Sequence, residues 1–162
     1  MMTITKATDT QPSIKEVMPI NFLYYRTETT VDQLLNFIPV TMELFREAVN
    51  YNLHVTGPIH WHYFGFNGDA SVPFTLEISL PVSEVIAEYD GNFHFKRTET
   101  FRCVALTHEG GWDSLPESYG KIMQFLAEEH LEPIGVTREI YINADFKDPG
   151  ANVTWVQIGI RK

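Results

Sequence analysis

The sequence predicts one α+β domain in which an antiparallel sheet carries two helices on one face. Segments that alternate apolar and polar residues, as half-buried strands do, recur along the chain, and two segments of helical periodicity lie between them. The order strand, helix, strand, strand occurs in each half of the chain. Because one such unit is too small to bury its own helix, we expect two pseudo-symmetric βαββ repeats to share one sheet.

The composition is that of a globular domain with an acidic surface. A hydrophobic content of 44% with 13% aromatic residues suffices for a packed core, and aromatic residues also line small-molecule pockets. The net charge of −9 argues against direct contact with nucleic acid, which requires clustered Lys and Arg. A cationic ligand or a basic protein partner fits this charge better.

The single cysteine and the N-terminal sequence indicate a cytoplasmic protein. Cys103 lies in an apolar run and can form no internal disulfide, which is typical of a reducing compartment. The N-terminus lacks the apolar segment of a signal peptide, and no uninterrupted apolar stretch reaches the roughly 20 residues of a membrane span. We therefore expect no membrane segment.

The first repeat is predicted over residues 18–82, after a flexible tail at 1–17 that is rich in Thr, Ser, Asp and Lys. Residues 18–29 alternate and predict a strand. Thr30 and Asp32 are candidate caps for the helix that follows, whose long regular part should begin near Pro39.

Two further strands complete this repeat. The first follows Gly57-Pro58, and the turn sequence Asn67-Gly68-Asp69 separates it from the second, at 73–82. Pro81 should end the pairing of that strand, because proline has no N–H to donate. Residues 83–97 are predicted to be a connector.

The second repeat is predicted over residues 98–162, so that 18–162 form the domain. Alternation predicts strands at 98–107, 134–143 and 153–160, and helical periodicity predicts a helix at 115–130. The repeats also align at single positions, since Gly57 matches Gly135 and Tyr63 matches Tyr141.

Alternation of side chains along the strands predicts an apolar face for the helices and an opposite face with aromatic and acidic residues. The helices are expected to cover Ile78, Leu80, Ile140, Ile142, Val156 and Ile158. The opposite face would then carry Trp61, Tyr63, Glu77, Glu139, Tyr141, Trp155 and Gln157, together with Tyr24 and Arg26.

This second face is the predicted ligand site, formed by Tyr24, Trp61, Tyr63, Glu77, Glu139, Tyr141 and Trp155. Aromatic rings around carboxylates suit a flat, apolar, often cationic molecule through stacking and cation–π attraction. Two alternatives are a solvated outer face and a face covered by another layer, such as the second subunit of a homodimer.

No metal or cofactor site is predicted. His60 and His62 share one face of a strand, but they are expected on the helix-covered side without a third ligand. The sequence His108-Glu109-Gly110-Gly111 lacks the following Lys of a phosphate-binding loop.

Four segments resemble the GyrI-like small-molecule-binding domains, which also occur as effector-binding halves of AraC-type and MerR-type bacterial transcription regulators. They are GPIHWHYFG (57–65), ISLPV (78–82), the segment from 108 to 135, and REIYIN (138–143). The resemblance implies two βαββ repeats with a groove between them for hydrophobic or cationic compounds, including several drugs. It also implies that Glu139 faces this groove, accompanied by Tyr141. A 17-residue tail leaves no room for a helix-turn-helix, so we expect no direct control of transcription.

Three functions follow from the resemblance, and we favour binding of a small aromatic or cationic ligand. Some relatives resemble hydrolases of reactive cyclopropane compounds, in which Glu139 and Tyr141 would be base and proton donor. Others resemble gyrase inhibitors, which bind a protein. Two residues apart on one strand, the Cα atoms of Glu139 and Tyr141 lie about 6.5–7 Å apart. This spacing does not by itself create the hydrogen bond of an acid–base pair, so turnover is not expected.

Overall fold

The computed structural model describes residues 10–162, which form eight strands and two α-helices. The strands are β1 (Ser13–Val17), β2 (Asn21–Thr29), β3 (His60–Phe64), β4 (Phe74–Pro81), β5 (His94–Arg97), β6 (Phe101–Glu109), β7 (Pro133–Asn143) and β8 (Val153–Ile160). The helices are α1 (Ile38–Asn50) and α2 (Leu115–Glu128). No helix in this range is long and apolar enough to cross a membrane.

One antiparallel sheet contains all eight strands, in the order β1-β6-β8-β7-β3-β4-β2-β5. The predicted class is confirmed, because the chain is α+β with one antiparallel sheet and two helices. The order strand, helix, strand, strand occurs from β2 to β4 and again from β6 to β8. The two sets of strands meet at the centre of the sheet, where β3 pairs with β7.

The start of α1 shows how local sequence sets a helix boundary. Pro39 lies in the first turn of α1, as predicted, because a residue in that turn needs no N–H donor. The 3-10 helix Val31–Phe37 precedes it. Thr30 is the N-cap residue of this short helix, but its hydroxyl donates to the Asp32 carboxylate and makes no cap bond to the backbone.

Two edge strands were missed by the sequence analysis. The tail prediction is wrong for Ser13–Val17, which pairs with β6 as β1, while residues 1–9 lie outside the described part of the chain. The connector prediction is wrong for His94–Arg97, which pairs with β2 as β5. Both strands are at an edge and largely exposed, so backbone hydrogen bonds hold them and no apolar alternation marks them.

The sheet is strongly curled, as two short connections show. Strands β1 and β2 are six steps apart in the sheet order, which would be about 29 Å in a flat sheet. The three-residue connection 18–20 joins them and spans at most about 15 Å. The connection 98–100 joins β5 to β6 under the same constraint, and hydrogen bonds between Ile20 and Thr98 link the two connections. The ends of the sheet therefore approach each other, and one face is concave.

The strand register decides which residues share a face, and it corrects the predicted facing. Trp61 lies opposite both Ile78 and Glu139, and Glu139 lies opposite Val156. These side chains therefore share the helix-bearing, convex face. The concave face carries Phe22, Tyr24, Arg26, His60, His62, Glu77, Arg138, Ile140, Trp155 and Gln157.

The wrong assignment has a physical cause. Ile140 is 2% exposed although no helix covers it, because the curl of the sheet buries the concave face against itself. Apolar side chains therefore occur on both faces. Alternation alone identifies two sets of residues but not which set the helices contact.

Gly159 permits close packing in the concave face and gives a testable prediction. A Cβ atom there would lie 2.7 Å from a ring carbon of Phe101 and 3.0 Å from Ile134. We expect Gly159→Ala to lower the free energy of unfolding by about 1–3 kcal/mol, because the core would be overpacked. Urea denaturation measures this. Gly120→Ala in α2 is the control: its Cβ meets nothing within 4 Å, and it should stabilise by up to about 1 kcal/mol. Equal effects of both variants would contradict the packing argument.

Candidate functional site

The candidate site is the part of the convex face that lies between the two helices. Helix α1 packs on β2 and β4, and α2 packs on β6 and β8. The buried apolar residues accordingly form one cluster around each helix. The central strands β3 and β7 lie between the helices, and they carry Trp61, Tyr63, Glu139 and Tyr141.

Three tyrosine hydroxyls surround the carboxylate of Glu139. Tyr141 donates to its Oε1 atom at 2.6 Å and Tyr63 donates to the same atom at 3.2 Å. Tyr119, which projects from α2, donates to Oε2. The Tyr63 and Tyr141 hydroxyl oxygens are 3.4 Å apart. Both carboxylate oxygens are therefore hydrogen bonded, which is what allows a residue that is only 7% exposed to carry a carboxylate.

The electrostatics of this cluster keep the tyrosines neutral. Burial, followed by the nearby charge of Glu139, raises the pKa of Tyr63, Tyr119 and Tyr141 well above 10. All three hydroxyls therefore remain donors at neutral pH. No Lys, Arg or His within residues 10–162 forms an ion pair with Glu139, so its charge is stabilised by neutral groups alone.

Aromatic rings extend from this cluster towards the surface. The ring of Tyr141 makes edge contacts with Trp61 at 6.0 Å and with Trp112 at 5.7 Å between centroids. Trp112 in turn contacts Phe146 at 5.3 Å, and Phe146 is 62% exposed. The indole N–H of Trp112 donates to Thr154, which fixes the orientation of that ring. A negative charge surrounded by aromatic faces favours a cation with apolar substituents.

The structure separates the predicted site residues into two groups. Trp61, Tyr63, Glu139 and Tyr141 lie together between the helices and contact one another. Tyr24, Glu77 and Trp155 lie on the concave face and cannot contact the same ligand. They were assigned to this site because the predicted directions of their side chains were wrong.

Glu77 differs from Glu139 in its partners as well as in its position. Its carboxylate pairs with Lys96 and lies 3.8 Å from the guanidinium of Arg26. Two cations of the chain therefore already neutralise it. Glu77 is therefore not available as a second acidic group beside Glu139.

Glu139 and Tyr141 form a hydrogen bond that their two-residue spacing did not by itself predict. Their side chains are long enough to converge from Cα atoms two residues apart, and the phenol donates to the carboxylate at 2.6 Å. The spacing argument considered only the backbone. The proton of Tyr141 is thus already directed at the carboxylate.

The sequence pattern did not identify two residues that lie close to Glu139 and Tyr141. Tyr119 lies in the segment that was identified only as an amphipathic helix, and Trp112 lies in the turn before it. A tyrosine beside the apolar positions Ile122 and Leu126 was the available signal, because its hydroxyl needs a partner when it is buried.

The histidine pair and the cysteine lie on the concave face. His60 Nδ1 is 3.1 Å from His62 Nε2, so the two rings bind each other, and the edge of Phe22 contacts both. This corrects their predicted place on the helix side. No group of three metal-ligating residues occurs in the described range. Cys103 is buried, and burial raises the pKa of its thiol to about 11.

Comparison with solved structures identifies proteins of the same fold. The EcmrR C-terminal domain has a TM-score of 0.76 and 21% identity, over 94% of this chain and 98% of that one. EcmrR in its DNA complex gives 0.77 and 20%, over 94% of this chain, which spans 57% of the EcmrR chain. A hydrolase encoded by lin2189 from Listeria innocua gives 0.66 and 14%, over 96% and 94%.

A further structure of this fold is SAV2435 bound to tetraphenylphosphonium, with a TM-score of 0.60 and 9% identity, over 93% of this chain and 94% of that one. A search of curated proteins finds no match. Among protein families, the GyrI-like small molecule binding domain matches residues 10–161, which is nearly the whole chain. The chain therefore belongs to the GyrI-like small-molecule-binding domain family.

Proposed function

We propose that the surface between the two helices forms a groove and that this groove binds a small aromatic or apolar cation at Glu139. The observation that carries this proposal is a buried carboxylate whose hydrogen-bond partners among residues 10–162 are three neutral tyrosines. In a groove of low polarity, an uncompensated negative charge attracts a cation more strongly than it would in water. Because both carboxylate oxygens already accept hydrogen bonds, a ligand needs charge and apolar surface more than N–H donors.

The surrounding rings fit the same ligand class. Trp112 and Tyr141 are half-buried and can contact an aromatic substituent, and Trp61 supports the ring of Tyr141 by an edge contact. The relative SAV2435 binds tetraphenylphosphonium, a cation without any hydrogen-bond donor. That ion is therefore a suitable first probe for this chain.

Tryptophan fluorescence tests the position of the site. We expect tetraphenylphosphonium to quench the emission, and Trp61→Phe to remove about half of the ligand-dependent signal, since Trp61 and Trp112 both border the groove. Trp155→Phe is the matched control, because Trp155 is 44% exposed on the concave face. Its removal should leave the ligand-dependent signal intact. Quenching that depends on Trp155 and not on Trp61 would place the ligand on the other face.

Hydrolysis is the second candidate function, and one contact favours it. The 2.6 Å hydrogen bond from Tyr141 to Glu139 provides a base with an adjacent proton donor. The Listeria innocua hydrolase has the same fold. Incubation with a strained, electrophilic cyclopropane compound, followed by mass spectrometry, detects addition of water. Turnover that is lost in both Glu139→Gln and Tyr141→Phe would establish this activity, and unchanged substrate would leave binding as the function.

A further inference from the structure

Arg138 is adjacent to Glu139 in β7 but points to the concave face of the sheet. Its side chain is buried, with 5% of the residue exposed. The guanidinium lies over the ring of Phe101 at 3.9 Å, which engages one of its faces. Its Nε and Nη1 groups donate to no acceptor within residues 10–162. Since buried guanidinium groups are normally hydrogen bonded or ion-paired, these donors are available to a partner of opposite charge.

The neighbours of Arg138 across the sheet are polar. Gln157 and His62 lie directly opposite it on β8 and β3. The Oε1 atom of Gln157 is also buried and has no partner among the described residues. Rotation of this amide by 180° would present its NH2 group instead, and such rotations are compatible with the same side-chain shape. Arg138 and Gln157 can thus donate together to one acceptor.

The buried carboxylate of Glu77 on the concave face does not pair with Arg138. Arg138, Lys96 and Arg26 are cationic, whereas the carboxylate of Glu77 is committed to Lys96 and Arg26. Burial and the charge of Arg138 lower the pKa values of His60 and His62, so both rings are neutral at pH 7. Among residues 10–162, no carboxylate forms an ion pair with Arg138.

We propose that the concave face binds a small anion, of the size of a halide or a phosphate, at Arg138 and Gln157. Phe101 fixes the face of the guanidinium, and an unpartnered N–H group of Arg138 donates to the anion. This site lies across the sheet from Glu139, on the same strand, and is separate from the cation groove. Binding there compensates the buried charge of Arg138 and stabilises the curled sheet.

Thermal unfolding of the full chain at constant ionic strength tests the proposal, with chloride and inorganic phosphate as probes. We expect the midpoint to rise by at least about 3 °C and to saturate with at least one of them. Arg138→Met keeps the contact with Phe101 but removes the charge, and it should abolish the saturable shift. Arg161→Gln is the control, because Arg161 is an exposed arginine paired with Glu132 and should leave the shift unchanged.

A second measurement does not depend on how the variants fold. Crystals of the wild-type chain soaked in bromide should show anomalous scattering next to the Arg138 guanidinium. A midpoint that responds to salt equally in all three proteins would show a general salt effect and overturn the proposal. So would bromide bound only elsewhere, or a wild-type midpoint that neither chloride nor phosphate raises.

Discussion

Glu139→Gln is expected to weaken the binding of tetraphenylphosphonium by about 10- to 100-fold, corresponding to about 1–3 kcal/mol. Glutamine has nearly the same shape as glutamate, so the aromatic residues around position 139 should keep their arrangement. What is lost is the negative charge, which no cation within residues 10–162 compensates in the free protein. Isothermal titration calorimetry measures the change in affinity.

Two controls make this result specific for charge recognition. A neutral aromatic ligand should lose much less affinity, because stacking on Trp61 and Tyr141 does not require the carboxylate. Glu77→Gln removes a carboxylate that is similarly buried, at 4% exposed against 7% for Glu139, but lies on the concave face. It should leave cation binding unchanged. Equal losses for neutral and cationic ligands, or an equal effect of Glu77→Gln, would remove Glu139 from its proposed role.

The second large effect is a loss of stability on mild acidification, caused by the histidine pair. Burial, followed by the charge of Arg138, lowers the pKa of His60 to about 3 and that of His62 well below 6.5. In the unfolded chain both rings bind a proton below about pH 6.5. Their contribution to stability is therefore complete above pH 6.5, and it is lost as the pH falls towards 3.

The expected slope is about 1.4 kcal/mol per pH unit for each histidine. Urea denaturation between pH 6.5 and 5 isolates this effect, because most carboxylates titrate at lower pH. His60→Gln should make the slope shallower, whereas His54→Gln, at an exposed position, should not change it. A slope that is identical in His60→Gln and the wild type would show that other groups cause the acid sensitivity.

The sequence predicted the elements that carry a strong local signal. Alternation located β4, β7 and β8, and Pro39 located the start of α1 to within one residue. These signals are local because side chains alternate at every residue of a strand and because proline restricts its own backbone. Strands β1 and β5 lack this signal, since edge strands with exposed side chains are held by backbone hydrogen bonds.

For the site, the sequence identified the residues that are chemically unusual but placed only some of them together. Glu139 was recognisable as a carboxylate in mid-strand, and Tyr63, Trp61 and Tyr141 followed from the alternation of their strands. The structure pairs these two strands at the centre of the sheet. Trp155 and Glu77 were assigned to the same face because their strands also alternate. The structure places both on the concave side, where Glu77 is neutralised by Lys96.

By itself, then, the sequence determined the fold class, the family resemblance and the unusual carboxylate, because periodicity and residue type are properties of short segments. Tertiary structure alone decided which face carries Glu139 and its tyrosine partners. An alternation with a period of two leaves that choice open whenever both faces are buried, and here the curl of the sheet buries the concave face while the helices cover the convex one. It also brought Tyr119 from a helix onto Glu139, a contact between residues 20 positions apart that no local pattern encodes.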